Sequence, residues 1–212
     1  MDIKGKKINF LGDSITEGDG VSQPKNRYTD VFERKYGPCL IRNYGICGTC
    51  IARQHEIDEN TPRYELDFCY RVDEMDSDAD IVVVFGGTND FGHGVAPVGT
   101  PKDRTPFTFW GACHVLMKRL IEKYPTSVIV FITPLHRAIE EREGMPSLRE
   151  YVSVIKQTAE IHSIPVLDFY ATLGIQPQIA VQRKLYAPDG LHPNDAGSER
   201  IADRLYGFLS RL

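Results

Sequence analysis

Two short motifs near opposite ends of the sequence contain the residues that nucleophilic catalysis needs. Ser14 follows Gly12 and Asp13 where an apolar run ends. A serine hydroxyl becomes a good nucleophile only when a base removes its proton. His192 is the best candidate base, because Asp189 lies three residues before it and can hold one imidazole nitrogen. We therefore predict that Ser14, His192 and Asp189 form a catalytic triad.

Two further segments contain groups that could stabilise a developing oxyanion. A tetrahedral intermediate needs hydrogen-bond donors that are already in position. Gly45 offers a backbone N–H without a side chain in the way, Asn89 offers a side-chain amide, and Ser14 offers its own N–H. We therefore predict an oxyanion hole built from Ser14, Gly45 and Asn89.

The elements that must position these residues follow from the hydrophobic pattern. Short β-rich runs occur at residues 7–11, 40–44, 81–85, 128–133 and 165–169. The third and fourth runs are continuously apolar, which is typical of strands covered on both faces. Apolar residues at helical spacing lie between the runs. They predict helices at residues 28–36, 110–124, 147–162 and 201–212, with a weaker candidate at 62–75.

Strands that alternate with helices indicate a parallel sheet built from right-handed crossovers. The sequence therefore predicts a three-layer α/β/α fold with about five parallel strands flanked by helices, in a single domain over residues 1–212. Ligands of such a sheet bind outside the carboxyl ends of the strands. The four segments that contain the candidate triad and oxyanion residues all follow predicted strands, so we expect them to meet at this edge.

Each motif alone is also compatible with a structural role. Asp13 and Ser14 could cap a helix, and the residues around Asn89 are common turn formers. Asp189 and His192 could likewise form a turn and a polar cap. The convergence of all four segments at one edge favours the catalytic interpretation over these separate structural ones.

Other residues are weaker candidates for the same edge. We place Asp13, His93 and His136 in a possible substrate pocket, since the two histidines lie in loops past the third and fourth strands. Cys47 and Cys50 form a C-x-x-C pair. Loop packing is favoured over a redox or metal role, because no second pair completes four ligands. Long irregular stretches are predicted at residues 91–106, 134–146 and 170–188.

The composition argues against several classes of protein. A net charge of −4 and a pI near 5.9 give no sign of a nucleic-acid partner. No apolar run approaches the ~20 residues that span a bilayer, and residues 1–11 lack the apolar region of a secretory signal. Five cysteines without a dense framework favour reduced thiols and a cytoplasmic location. The oligomeric state is left open.

The four segments, in this order, resemble the sequence blocks of the SGNH hydrolases, also called GDSL-like lipases and esterases. The matching residues are Gly12-Asp13-Ser14-Ile15, Asn43-Tyr44-Gly45, Gly87-Thr88-Asn89-Asp90 and Asp189-Gly190-Leu191-His192-Pro193, and the resemblance runs from residue 8 to about residue 210. It implies a flavodoxin-like sheet and hydrolysis of carboxylic esters without a metal or other cofactor. It also implies that Ser14 attacks the acyl carbon, that Asp189 orients His192, and that the predicted donors hold the oxyanion.

The substrate is the least defined part of this interpretation. The loop at residues 137–143 is heavily charged and no long apolar lid is evident. We therefore expect a small-molecule ester with a short acyl group, such as an acetylated carbohydrate. A lysophospholipase or thioesterase is the alternative within the resemblance. A metal-dependent phosphoesterase and a non-catalytic ligand-binding module on the same fold are alternatives of other classes.

Overall fold

Five parallel strands form one sheet in the part of the chain that the computed structural model describes, residues 1–38, 40–55 and 66–212. They are β1 (Lys7–Gly12), β2 (Leu40–Gly45), β3 (Ile81–Phe85), β4 (Val128–Ile132) and β5 (Val166–Leu167). The order across the sheet is β2-β1-β3-β4-β5, and every neighbouring pair is parallel. The predicted parallel sheet is confirmed.

Helices follow the strands along the chain. They are α1 (Ser14–Glu17), α2 (Tyr28–Tyr36), α3 (Phe68–Arg71), α4 (Thr88–Gly92), α5 (Phe109–Lys123), α6 (Leu148–Ile161), α7 (Phe169–Thr172), α8 (Ala180–Tyr186) and α9 (Asp195–Leu209). The four main predicted helices correspond to α2, α5, α6 and α9. Two short 3₁₀ turns, Pro24–Asn26 and Val72–Glu74, complete the described elements. Within the described ranges, none of the helices is both long and apolar enough to cross a membrane.

The side chains of β3 show why helices lie on both faces of the sheet. Successive side chains of a strand point to opposite faces. Ile81, Val83 and Phe85 pack in one buried cluster with α2 and α9, whereas Val82 and Val84 pack in another with α5 and α6. Each such side chain contributes roughly 1.5–3 kcal/mol when it is fully buried. The continuous apolar run is therefore required by the three-layer arrangement.

The carboxyl ends of the central strands lie level with one another. Gly12, the last residue of β1, pairs with Gly45 of β2 on one side and with Phe85 of β3 on the other. The strand order also reverses at β1, since the chain goes first to β2 and then back to β3 on the opposite side. Such a switch point leaves a crevice between the loops above the sheet.

Three predictions of local structure need correction. The stretch at residues 170–188, expected to be irregular, contains the end of α7 and all of α8. Strand β5 is only two residues long, because the Asp168 side chain already caps α7 by accepting the Ala171 N–H at 3.0 Å. The weak helix at 62–75 consists of α3 and a 3₁₀ turn, and its first residues, 62–65, lie outside the described part.

Candidate active site

Ser14 is placed by a sharp change from strand to helix at the end of β1. Gly12 ends the strand, and a side chain there would collide with Oγ1 of Thr16. Asp13 then caps α1, with its Oδ1 accepting the N–H of Ile15 at 3.0 Å. Ser14 is thus the first residue of the helix, and its N–H has no hydrogen-bond partner among the described residues. Unpaired N–H groups are the rule in a first helical turn.

The structure brings Ser14, His192 and Asp189 into one hydrogen-bonded chain. Oγ of Ser14 lies 3.0 Å from Nε2 of His192, and Nδ1 of the same ring lies 2.6 Å from Oδ2 of Asp189. Desolvation opposes the charge on Asp189, but bonds from the Leu191 and His192 N–H groups and from the imidazole outweigh it. They hold the pKa of Asp189 below its usual value, so the carboxylate is ionised.

The loop that contains His192 is held by close backbone contacts on two sides. Gly190 has φ +86°, and its carbonyl accepts the N–H of Ala138 at 2.7 Å. On the other side, a Cβ at Gly20 would lie 2.9 Å from Cβ of His192 and 2.8 Å from the carbonyl of Pro193. Glycine at position 20 therefore lets the chain after α1 pack directly against the candidate base.

Asn89 and Asp90 fasten the loop after β2 to the start of α4. The Asn89 amide donates to the carbonyl of Thr49 at 3.0 Å, and both residues are buried. Asp90 accepts the N–H groups of Ile51 and Ala52, each at 2.9 Å. Complete burial raises the pKa of Asp90 to about 7, although these two bonds lower it. The loop is therefore fixed beside the candidate oxyanion donor.

The N–H of Gly45 is not available as the oxyanion donor that the sequence predicted. Its N–H donates to Oδ1 of Asn43 at 2.8 Å, so this donor is already used inside the protein. A side chain at position 45 would collide with the backbone of Thr16 and Glu17, which explains the glycine. The assignment of Gly45 as an oxyanion donor is therefore corrected, because its role is close packing of β2 against α1.

A free donor that the motif comparison missed lies three residues later. The N–H of Thr49 bonds to the carbonyl of Ile46 at 3.3 Å, which closes a turn around Cys47 and Gly48. Gly48 has φ +78°, the value that a type II turn requires at its third residue. Its N–H has no hydrogen-bond partner in the described ranges. The signal in the sequence was the glycine itself, since this turn position favours glycine.

Arg71 is a second residue that sequence analysis missed. Its side chain is only 2% exposed and donates to the carbonyls of Gly12 at 2.9 Å and Tyr44 at 2.6 Å. It also donates to Oγ1 of Thr49 at 2.9 Å. Burial lowers the pKa of Arg71 to about 10. The guanidinium thus joins the ends of β1 and β2 to the Gly48 turn. No short sequence motif predicts such a contact.

Asp13 does not line a pocket, contrary to its predicted position. Its side chain is 1% exposed, and Oδ2 is buried without a hydrogen-bond partner in the described part of the chain. Desolvation raises the pKa of Asp13 to about 6, although the Ile15 N–H and the charges of His192 and Arg71 act against this. The carboxyl group caps α1 and lies under the site.

The two candidate pocket histidines have different surroundings. Nδ1 of His136 lies 2.6 Å from Oε1 of Glu140, and its ring packs on Tyr170 with centroids 4.0 Å apart. His136 is therefore held within its own loop and its neighbour α7. His93 lies just after α4, where desolvation lowers its pKa and the charge of Arg137 adds to the effect.

The two cysteines of the C-x-x-C pair are not in a disulfide and differ in exposure. Cys50 is completely buried, and burial raises the pKa of its thiol well above the usual value. Cys47 is half-buried, and its Sγ lies 3.1 Å from Oδ2 of Asp19. Among the described residues, no three His, Cys, Asp or Glu side chains cluster in a way that could hold a metal ion.

Known proteins share both the sequence pattern and the fold of this chain. The model of the GDSL-like lipase/acylhydrolase family matches residues 10–200. One solved structure is 30% identical, covers 100% of this chain and 99% of its own, and superposes with a TM-score of 0.87. A protein from Lactobacillus plantarum is 28% identical over 99% of this chain and 98% of its own, also with a TM-score of 0.87.

A more distant structure carries a described activity. A two-domain esterase active on acetylated mannans is 18% identical, with a TM-score of 0.65 over 97% of this chain and 48% of its own. At this identity the likeness concerns the fold alone. None of the curated protein sequences matches this chain. The match to the family model covers most of the sequence and all four segments at the site, and the chain therefore belongs to the GDSL-like lipase/acylhydrolase family.

Proposed function

We propose that this protein is a serine esterase that hydrolyses carboxylic esters through an acyl-enzyme. The observation that carries the proposal is the continuous chain from Ser14 through His192 to Asp189, with distances of 3.0 and 2.6 Å. Both distances are within hydrogen-bond reach, as the pairing of a nucleophile with its base and of the base with its orienting acid requires.

In the proposed mechanism, Nε2 of His192 takes the proton of Ser14 while Oγ attacks the acyl carbon. Asp189 holds the ring through Nδ1 and stabilises the imidazolium that forms. The imidazolium then gives its proton to the leaving alcohol as the ester C–O bond breaks. Water, deprotonated by the same ring, attacks the acyl-enzyme and releases the acid and free Ser14.

The oxyanion of both tetrahedral intermediates needs donors that face the acyl carbon. The N–H groups of Ser14 and Gly48 are unpaired among the described residues, and the Asn89 amide lies beside them through its bond to Thr49. We assign these three groups to the oxyanion hole, in place of the set with Gly45. Removing one such donor typically lowers turnover about 10²–10³-fold.

For the substrate class, we propose esters with short acyl groups, including acetyl esters of carbohydrates. The loop at residues 137–143 supports this, since most of its side chains are charged and it contacts the His192 loop through Ala138 and Gly190. The same fold in an esterase active on acetylated mannans is compatible with such a substrate. A lysophospholipase or thioesterase would instead need to accommodate a long acyl chain.

The test is hydrolysis of p-nitrophenyl esters from acetate to palmitate by wild type, Ser14→Ala and Ser77→Ala. Ser77 is exposed and serves as the matched control. We expect preference for short chains, loss of activity in Ser14→Ala, and wild-type activity in Ser77→Ala. Equal activity of wild type and Ser14→Ala would overturn the proposal, and preference for palmitate would favour the lysophospholipase or thioesterase alternative.

Two further measurements separate the other classes. A serine esterase keeps its activity after dialysis against a chelator, whereas a metal-dependent phosphoesterase loses it. A phosphonofluoridate probe should label Ser14 in the wild type and leave Ser14→Ala unlabelled. A binding module without catalysis would show no labelling in either protein.

A further inference from the structure

Arg137 is a half-buried guanidinium beside the candidate site. Its Nη1 donates to the carbonyl of Thr88 at 3.0 Å and lies 3.3 Å from Oγ1 of the same residue. The guanidinium carbon lies 5.1 Å from the ring centroid of Phe91, and a Cβ at Gly92 would lie 2.9 Å from Nη1. The group is therefore held in one position by contacts that leave most of its hydrogen-bond donors unused.

No carboxylate in the described ranges forms an ion pair with this guanidinium. The nearest acid along the loop, Glu140, is already engaged. Its Oε1 lies 2.6 Å from His136 and accepts the backbone N–H of Arg137, and its Oε2 accepts the hydroxyl of Tyr170. A partly desolvated cation that no carboxylate contacts directly is unfavourable, and proteins usually pair such charges. An anion from outside the chain would supply the missing partner.

The position of Arg137 connects it to both halves of the site. Thr88, whose carbonyl accepts the hydrogen bond from Nη1 of Arg137, is adjacent to Asn89. Ala138, the residue after it, bonds to Gly190, which is adjacent to Asp189. Burial lowers the pKa of Arg137 and the charge of Arg142 acts in the same direction, whereas the charges of Glu140, Asp13 and Asp189 oppose this shift. Arg137 thus contacts the residue before Asn89 and belongs to the loop that bonds to the His192 loop, so it lies beside the edge where the proposed ester binds.

A second cation strengthens the positive character of this place. Arg142, on the same loop, donates through Nη1 to the carbonyls of Gly92 at 2.6 Å and Phe91 at 3.3 Å. It is exposed, and it forms no ion pair with a described carboxylate. The end of α4, at residues 91–92, is therefore flanked by two guanidinium groups, which attract an anion more strongly than either alone.

We infer that Arg137 is a specificity-determining residue that binds a carboxylate or phosphate group of the ester substrate. This inference rests on the proposed esterase function and narrows its substrate to anionic esters. A planar guanidinium can bind two oxygens of either group at once. The natural substrate is then a short ester whose alcohol or acyl part carries an acidic group near the scissile bond, such as an acetylated acidic sugar or sugar phosphate.

The kinetic test compares matched esters that differ only in charge. The anionic esters are para-acetoxybenzoate and para-acetoxyphenyl phosphate, and the neutral one is para-acetoxybenzamide. The proteins are wild type, Arg137→Gln, Arg137→Lys and Arg149→Gln, whose exposed side chain on α6 controls for the loss of charge. We expect Arg137→Gln to lower kcat/KM on an anionic ester about 10–100-fold, mainly through KM.

On the neutral ester, Arg137→Gln should stay within about twofold of wild type, and Arg149→Gln should resemble wild type on every ester. On the anionic esters, the kcat/KM of Arg137→Lys should lie between those of Arg137→Gln and wild type. Lysine keeps the positive charge but cannot bind two oxygens in the planar geometry of a guanidinium. A larger effect on the benzoate or on the phosphate identifies which anion the site prefers. Equal losses on charged and neutral esters, or no preference of the wild type for charge, would overturn the inference.

A binding measurement separates this inference from the proposed function. Benzoate and phenyl phosphate are titrated by calorimetry into Ser14→Ala and into Ser14→Ala/Arg137→Gln. We expect binding to the first protein and at least a tenfold weaker affinity for the second. Equal affinities would overturn the anion site even if Ser14 proves catalytic. Binding that depends on Arg137 in a protein without esterase activity would refute only the proposed function.

Discussion

The two sides of Ser14 are built in different ways. On one side, Asp189 contacts His192 within a loop of four residues, and its side chain is 54% exposed. On the other side, Asn89 and the Gly48 turn come from distant segments and are held by Arg71 and Asp90, which are all but completely buried. The first side is local and solvated, whereas the second depends on the core.

This difference has a consequence for substitutions. A change in the local side should affect catalysis and leave the free energy of unfolding almost unchanged. A change in the buried side should affect both quantities, because it also leaves a buried polar group unpaired. Measurements of kcat and of unfolding on the same variants can therefore support or break the comparison.

The largest effect is expected for Asp189→Asn. An asparagine can keep the bonds that Asp189 accepts from the N–H groups of Leu191 and His192, at 2.8 Å each, but its amide would face Nδ1 of the ring. This favours the wrong tautomer of His192, so kcat should fall on the order of 10³–10⁴-fold. Urea unfolding should change by less than about 1 kcal/mol. A loss of activity below tenfold would remove Asp189 from the triad.

The next effect is expected for Asn89→Ala. The variant loses an oxyanion donor, so kcat should fall about 10²–10³-fold with little change in KM. It also leaves the buried carbonyl of Thr49 unpaired, which should cost about 1–3 kcal/mol of stability. Steady-state kinetics and urea unfolding measure the two quantities.

Asn9 offers a matched control for that variant. It is also buried, and its amide donates to the carbonyl of Asp76 at 2.8 Å and to the hydroxyl of Tyr124 at 3.2 Å, in the middle of β1 and away from its carboxyl end. Asn9→Ala should therefore lose similar stability and keep kcat within about threefold. If Asn9→Ala loses as much activity as Asn89→Ala, the loss reflects general destabilisation and not a missing donor.

The final prediction concerns stability alone, and the effect of Asp13→Asn depends on pH. Burial raises the pKa of Asp13 to about 6 from an ordinary value of 3.8. The protonated acid is therefore favoured in the folded state. Its contribution to stability is complete below the ordinary pKa and is lost as the pH rises through about 6. The full change is about 3 kcal/mol.

An asparagine at position 13 cannot ionise, so this loss should disappear. The difference in unfolding free energy, Asp13→Asn minus wild type, should rise between about pH 4 and pH 6 and then stay constant. Urea titrations at several pH values measure it, with the exposed Asp2→Asn as the control. A difference that is flat across this range would show that Asp13 does not titrate there.

The sequence predicted the parts of this protein that depend on local pattern. The alternation of apolar runs and helical spacing predicted the parallel sheet, because each strand and helix must bury its own side chains. The spacing of Asp189 and His192 predicted their contact, because a single turn brings them together. The family resemblance is likewise confirmed.

The parts that sequence analysis missed are set by contacts between distant segments. Gly45 and Gly48 are both glycines near the end of β2, and only the bond from Gly45 to Asn43 shows which N–H is already used. Arg71 reaches three segments from a short helix. The burial of Asp13 depends on how α1 packs. A pattern along the chain does not contain this information.

The contacts of Arg71 also bear on how the molecule opens. Its guanidinium holds the last carbonyls of two strands and the hydroxyl of Thr49 at the same time. These three segments therefore cannot loosen one after another, since releasing any of them leaves a buried charge partly unsolvated. The end of β1, the end of β2 and the Gly48 turn should therefore behave as one cooperative unit that is either intact or lost together with the central strands.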